Sequence, residues 1–110
     1  MNSEGKIQQS IIMWFRNNYC LRHHSPRCAI FSVPNERNDR KEAMTMKATG
    51  MMSGVSDLIV VRPGEVIFVE VKTESGVQSP KQREFESIVT GCGFRYELVR
   101  SLDEFKTIMR

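Results

Sequence analysis

The 110-residue sequence predicts an α/β fold, a mixed β-sheet flanked by helices, on three observations. Two runs rich in β-branched residues, DLIVV (57–61) and EVIFVEVK (65–72), stand on either side of an Arg62-Pro63-Gly64-Glu65 turn. A capped helical signal, SPKQREFESIVTGCG, separates the second run from another strand-like stretch, FRYELV (94–99). Helical periodicity marks both ends of the chain. A sheet must bury its apolar face, so the order α, β, (α), β, β, α, β, α reads as one sheet carrying helices.

Each element has a local reason. Residues 3–17 predict a helix: Ser3 can cap it, and Ile7, Ile11, Trp14 and Phe15 recur at helical spacing, with Asn17-Asn18 weakening its end. CAIFSV (28–33), closed by Pro34-Asn35, predicts a short strand. The polar, basic stretch 36–50 fits either a short helix around 39–48 or a mobile loop. In the next helix Ser79 is the N-cap, Pro80 suits the first position, and Gln82 completes a capping box. Phe85, Ile88 and Val89 form its apolar stripe, and Gly91 or Gly93 ends it. Ser101-x-x-Glu104 opens a last helix carrying Leu102, Phe105 and Ile108. The helix between the last two strands permits a parallel, right-handed crossover.

Bulk properties exclude several classes. One domain spanning 1–110 is expected at this length. Hydrophobic content of 40% and charged content of 26% fit a globular domain rather than a disordered chain. No stretch approaches the ~18 apolar residues of a membrane span. The N-terminal MNSEGKIQQS lacks the apolar core of a signal peptide, so a cytoplasmic protein is expected. A net charge of +3 permits a polyanionic partner without requiring one. The three cysteines, Cys20, Cys28 and Cys92, suit a reducing compartment. Cys20-x-x-His23-His24-x-x-x-Cys28 has residue types suited to zinc but lacks zinc-finger spacing, and a basic loop is the better reading.

The hairpin brings chemistry together. With the turn centred between Pro63 and Gly64, Arg62 faces Glu65, Val61 faces Val66, and Asp57 faces Glu70. Directly opposed residues project to one side, roughly 4.5–5.5 Å apart at Cβ. Lys72 lies two residues beyond Glu70 and shares that face, while Ile67, Val69 and Val71 form a core stripe on the other. Pro63 cannot supply the positive φ of the favoured two-residue hairpin turns; a longer loop centred on Pro-Gly keeps the same register, whereas a one-residue bulge would break the pairing on its side. Two adjacent carboxylates repel unless neutralised, and a hard divalent cation such as Mg²⁺ or Mn²⁺ would do so. Lys72 beside it could orient or deprotonate a water, or stabilise charge on a phosphate. The alternative is ordinary strand-end polarity.

These residues resemble a known family. Asp57…Glu70-x-Lys72 resembles the catalytic signature of the PD-(D/E)xK nuclease superfamily. Gly54-Val55-Ser56-Asp57-Leu58, Phe68-Val69-Glu70-Val71-Lys72 and Ser79-Pro80-Lys81-Gln82 together resemble the virus-type replication-repair nuclease (VRR-NUC) domain of that superfamily, over nearly the whole chain. The resemblance implies a restriction-endonuclease-like sheet and a metal-dependent endonuclease. Stand-alone phage and bacterial members are similar to Holliday junction resolvases and act as homodimers, while members fused to larger proteins act on branched or flap DNA. It further implies that Asp57 and Glu70 are metal ligands together with the Val71 carbonyl, and that Lys72 is the catalytic lysine. Gln82 would reach into the site, and Glu4 would be the acidic residue of the first helix. Two departures stand out: Ser56 occupies the position of the signature's proline, and Gly5 weakens the turn carrying Glu4, leaving Gln8 as the alternative occupant. Gln82 also has a purely structural reading as the capping-box partner of Ser79.

The DNA-binding side is less defined. Arg22, His23, His24 and Arg27, and further on Arg37, Arg40, Lys41 and Lys47, could contact phosphates without reading sequence, or could be solvated surface. Aromatic interleaving of the kind that stacks single-stranded bases is missing, which favours duplex or junction DNA. Trp14 and Phe15 suit the core or a dimer interface. The readings that compete with a junction endonuclease are a flap or general DNA nuclease of the same fold, a non-catalytic DNA-binding module, and a zinc-bound interaction domain.

Overall fold

The computed structural model describes residues 3–34, 44–45 and 47–110. It contains helices α1 (Ser3–Tyr19), α2 (Pro80–Gly91) and α3 (Leu102–Ile108), and strands β1 (Ala29–Ser32), β2 (Leu58–Arg62), β3 (Glu65–Val71) and β4 (Arg95–Val99). The strands form one sheet in the order β1-β2-β3-β4. The first two pairings are antiparallel and β3–β4 is parallel, with α2 as the crossover. This is the mixed sheet that the sequence predicts.

The sheet lies between two helical layers. On one face Ile11 and Phe15 of α1 and Phe105 of α3 pack on Ile30, Leu58, Val60, Ile67, Val69, Val71 and Val99. On the other face α2 sets Phe85 and Val89 against Tyr96, with Phe68 and Val55 at the margin. Trp14 joins the first layer, its ring edge-on to Phe105 at 6.0 Å. That places Trp14 and Phe15 on the core side of the two readings.

Several boundaries differ from expectation. Helix α1 runs through Asn17-Asn18 to Tyr19, because the Asn18 amide donates back to the Trp14 carbonyl at 2.7 Å instead of competing with the helix. Strand β1 is an edge strand on which only Ile30 is buried, and Phe31 is 46% exposed. The expected 39–48 helix lies partly outside the described residues, as do Arg37, Arg40 and Lys41. Residues 44–45 and 47–48 are helical. The hairpin turn is two residues long, since Arg62 pairs with Glu65. Pro63 followed by Gly64 at φ +67° fits a type II turn, which needs positive φ only at its second position. The proline therefore starts the turn without a longer loop.

Helix α3 has seven residues, too few to hold alone. Two arginines fasten its C-terminus: Arg62 donates to the Met109 carbonyl at 2.7 Å and Arg95 to the Ile108 carbonyl at 2.6 Å. Glu65 joins them, 2.9 Å from Arg62 and 3.1 Å from Arg95, and hydrogen bonds from both hold its carboxyl below the usual carboxylate range.

Candidate active site

The predicted register is observed. Leu58 opposes Val69 and Arg62 opposes Glu65, so the next step places Asp57 across from Glu70 at the open end of the hairpin. Asp57 stands just before β2 rather than inside it. Its carbonyl accepts from the Val33 N–H at 2.9 Å, tying it to the end of β1. Its Oδ2 accepts from the Val71 N–H at 2.7 Å, locking the carboxylate onto the end of β3. Ser56, where the superfamily signature has proline, is buried, and its hydroxyl donates to the Leu58 carbonyl at 3.3 Å. A local hydrogen bond takes the place of ring stiffness in presenting Asp57.

Glu70 is 1% exposed. Its Oε1 accepts from the Tyr96 hydroxyl and, at 3.4 Å, from the Gln78 amide. Its Oε2 is buried with no hydrogen-bond donor. The nearest cation is Lys72, whose Nζ lies 3.5 Å from Oε2, an ion-pair distance without hydrogen-bond geometry. The Lys72 side chain is itself only 12% exposed. Gly76 rests against its stem, where an added methyl would meet Lys72 Cδ at 3.4 Å. Arg100 fixes that loop by donating to the carbonyls of Thr73 and Gly76, both at 2.7 Å.

Charge at the site is unbalanced. Burial raises the Asp57 pKa most; the Val71 N–H bond works against it, the charges of Glu70 and Glu4 add to the rise, and Lys72 opposes. The first turn of α1 therefore brings Glu4 within electrostatic reach of the pair. Gln8, one turn on, is half-buried on the same helix. Gln82 makes the capping box: its Oε1 accepts from the Ser79 N–H at 2.8 Å, and the Ser79 hydroxyl accepts from its N–H at 3.2 Å. Its backbone nonetheless borders the loop that delivers Asp57, because Gly54 packs directly on Lys81 and Gln82.

A buried, donorless carboxylate oxygen beside the Asp57 carboxylate and the Lys72 ammonium, with Glu4 in electrostatic reach, fits a hard cation. Among the described residues no three His, Cys, Asp or Glu side chains group closely enough to hold a metal by themselves. Two carboxylates, the Val71 carbonyl and waters would be a Mg²⁺-type set, since Mg²⁺ keeps much of its water. Zinc fits Cys20, His23, His24 and Cys28 poorly. The Leu21 N–H donates to His24 Nδ1 at 2.9 Å, occupying that nitrogen, and burial raises the Cys20 thiol. That cluster also lies at the far end of the sheet, where Cys28 bonds Tyr19 and Ala29 opposes Val61. Arg22 and Arg27 go with it, away from the carboxylates.

Sequence reasoning missed Tyr96, Gln78 and Glu86. Gln78 Nε2 donates to Glu86 Oε1 at 2.9 Å and lies 3.4 Å from both Glu70 Oε1 and the Tyr96 oxygen. Burial, then the bond to Glu70, pushes the Tyr96 phenol well above its usual pKa, so it remains a donor.

The Asp57 charge has a measurable cost. A carboxyl with a raised folded-state pKa binds its proton longer in the folded than in the unfolded protein. Its contribution to stability therefore falls as pH rises from the ordinary Asp range through the raised folded value. Asp57→Asn removes that charge and can still accept from Val71. In chelator near pH ~7, the variant should melt above wild type. The gap should close as pH falls through the raised folded value into the ordinary Asp range, where wild type is protonated in both states. A variant that melts at or below wild type at neutral pH would contradict this.

The comparisons with known proteins bear on the whole chain. The family model for the VRR-NUC domain matches residues 2–103. A solved structure named "VRR_NUC domain protein" superposes with a TM-score of 0.76 at 17% identity, covering 99% of this chain and 86% of that one. Another, "VRR_NUC domain", superposes with a TM-score of 0.67 at 20% identity, covering 99% and 96%. At these identities the structural likeness speaks for the fold. No curated protein matches the sequence.

Proposed function

The chain belongs to the VRR-NUC domain family, a family of nuclease domains, and on that premise we propose that it is a Mg²⁺- or Mn²⁺-dependent, structure-selective DNA endonuclease that resolves four-way junctions as a homodimer. The observation that carries the reading is the buried Glu70 Oε2, which has no hydrogen-bond donor and lies beside Asp57 and Lys72. Asp57, Glu70 and the Val71 carbonyl would hold the cation. When bound, it supplies Lewis acidity toward the phosphate and lowers the pKa of a water.

The chain's own residues do the rest. Carboxylates from Asp57, Glu70 and Glu4 would repel a phosphodiester, so Lys72 is the side chain that can place positive charge at the reacting phosphate. Its short reach from Glu70, between the strand end and the Gly76 loop, restricts that charge to one position. Gln82, released from the capping box, could reach the same space. Lys47 is exposed and its carbonyl accepts from Gly50, whose segment borders Val33 and Val55 on the Asp57 side of the fold, so among the described residues it is a basic side chain that could touch the DNA backbone. Two copies related by a twofold axis would present two sites to opposed strands of a symmetric junction. No described helix is long and apolar enough to cross a membrane, and a cytoplasmic setting is proposed with the rest.

The test is a substrate panel. An immobile four-way junction, a flap, a linear duplex and a single strand are each incubated with Mg²⁺, Mn²⁺ or chelator. Paired, symmetric, metal-dependent nicks in the junction are expected, from a species whose solution mass is that of a dimer. Cutting confined to flaps or linear DNA would replace the junction reading with a general nuclease. No cutting by folded, DNA-binding protein would leave a non-catalytic module.

A further inference from the structure

We propose that Tyr96, assisted by Gln78 and Glu86, is a positioning residue that turns the Glu70 carboxylate so that one oxygen is saturated and the other is presented to the cation. The inference rests on the metal-binding reading above and adds residues that neither the hairpin nor the family signature points to.

The donors around Glu70 are lopsided. Both that reach it, the Tyr96 hydroxyl and the Gln78 amide, converge on Oε1, and Oε2 receives none. A buried glutamate with a purely structural role would be expected to spread its donors over both oxygens, since each unsatisfied one is costly. Here the supporting groups are themselves held. The Tyr96 ring is buried and packs edge-on against Phe85 of α2 at 6.2 Å, so its hydroxyl cannot swing away from β3. Gln78 has two amide hydrogens and three acceptors in reach, and its shortest bond, 2.9 Å, goes to Glu86 on α2. Gln78 is thus anchored to the helix and leans on both Glu70 and Tyr96 at 3.4 Å. A hydroxyl that accepts from one group while donating to another polarises in the direction of the carboxylate. Carboxylate ligands of metals are commonly fixed by such outer partners, and losing one weakens metal binding about 10–100-fold.

The experiment titrates Mn²⁺ into the full chain without DNA, by calorimetry, well below the melting temperatures measured in chelator. Wild type, Tyr96→Phe, Gln78→Ala and Glu70→Gln are compared. Tyr96→Phe keeps the ring against Phe85 and removes only the hydroxyl; it is expected to weaken Mn²⁺ binding about 10–100-fold. Gln78→Ala, in a partly exposed loop, should show a smaller loss of Mn²⁺ binding in the same direction. Glu70→Gln should abolish binding. If Tyr96→Phe fails to fold, Gln78→Ala decides the matter. If both variants bind Mn²⁺ as tightly as wild type while Glu70→Gln does not bind, the positioning role is overturned and the metal site stands. If wild type binds no Mn²⁺, the metal site and the positioning role fall together.

Discussion

Lys72→Ala is expected to reduce metal-dependent cleavage by about 10²–10⁴-fold, the range seen when a positioned proton-transfer or charge-stabilising side chain is lost. DNA binding should survive if, as proposed, basic residues away from Lys72 contact the phosphates. The variant also has a stability signature. Removing the ammonium leaves Glu70, 1% exposed, without the cation 3.5 Å from Oε2. Breaking a buried pair from one side typically costs about 3–5 kcal/mol. A divalent cation bound at Glu70 would restore the missing charge. The melting temperatures of Lys72→Ala and wild type should therefore lie far apart in chelator and draw closer in Mn²⁺. Lys72→Met separates the charge from the stem, since it keeps the packing on Gly76, and should lose cleavage equally. Full cleavage by either variant would return Lys72 to strand-end polarity.

Gly54→Ala is expected to destabilise the fold by about 3 kcal/mol or more, through a named mechanism of backbone strain plus steric overlap. Gly54 has φ +81°, and a methyl there would lie 2.5 Å from the Lys81 carbonyl carbon and oxygen and 2.9 Å from the Gln82 nitrogen. These are backbone atoms of the first turn of α2, so no side chain can rotate to relieve the contact. Gly64 provides the control. It also has positive φ, +67°, but a methyl there meets nothing within 4 Å. Gly64→Ala should cost only the left-handed penalty, about 1–2 kcal/mol. Chemical denaturation of the two variants separates backbone conformation from close approach, and equal losses would contradict the packing argument. The geometry also explains why glycine stands three residues before Asp57: the loop must touch α2 to deliver the carboxylate to the strand end.

What could be read in the sequence was what local chemistry fixes. The Pro63-Gly64 turn sets an antiparallel register, and that register alone brings Asp57, Glu70 and Lys72 to one end of one face. The Ser79 cap and the Ser101 cap likewise announced α2 and α3. Tyr96 was hidden because β3 and β4 are parallel, and no turn fixes their offset. The pairing of Phe68 with Tyr96 and of Glu70 with Leu98 depends on where α2 ends and how it packs. Gln78 was hidden for a related reason, as its side chain bridges a loop, a strand and a helix that are distant in sequence. The basic residues at 22–27 carry the right charges, but the fold places them at the far end of the sheet because Cys28 follows directly into β1. The proposed divalent cation followed from the two opposed carboxylates, and the DNA substrate from family resemblance; the orphaned oxygen of Glu70 is the structural observation that supports the cation.

The central claim is that a divalent cation sits between Asp57 and Glu70. Anomalous diffraction from crystals soaked in Mn²⁺ tests it most directly. A peak bounded by Asp57, Glu70 Oε2 and the Val71 carbonyl, with waters completing the shell, is the predicted result. The absence of a peak there in crystals that bind Mn²⁺ elsewhere, or a peak at Cys20 and His23 in its place, would contradict it.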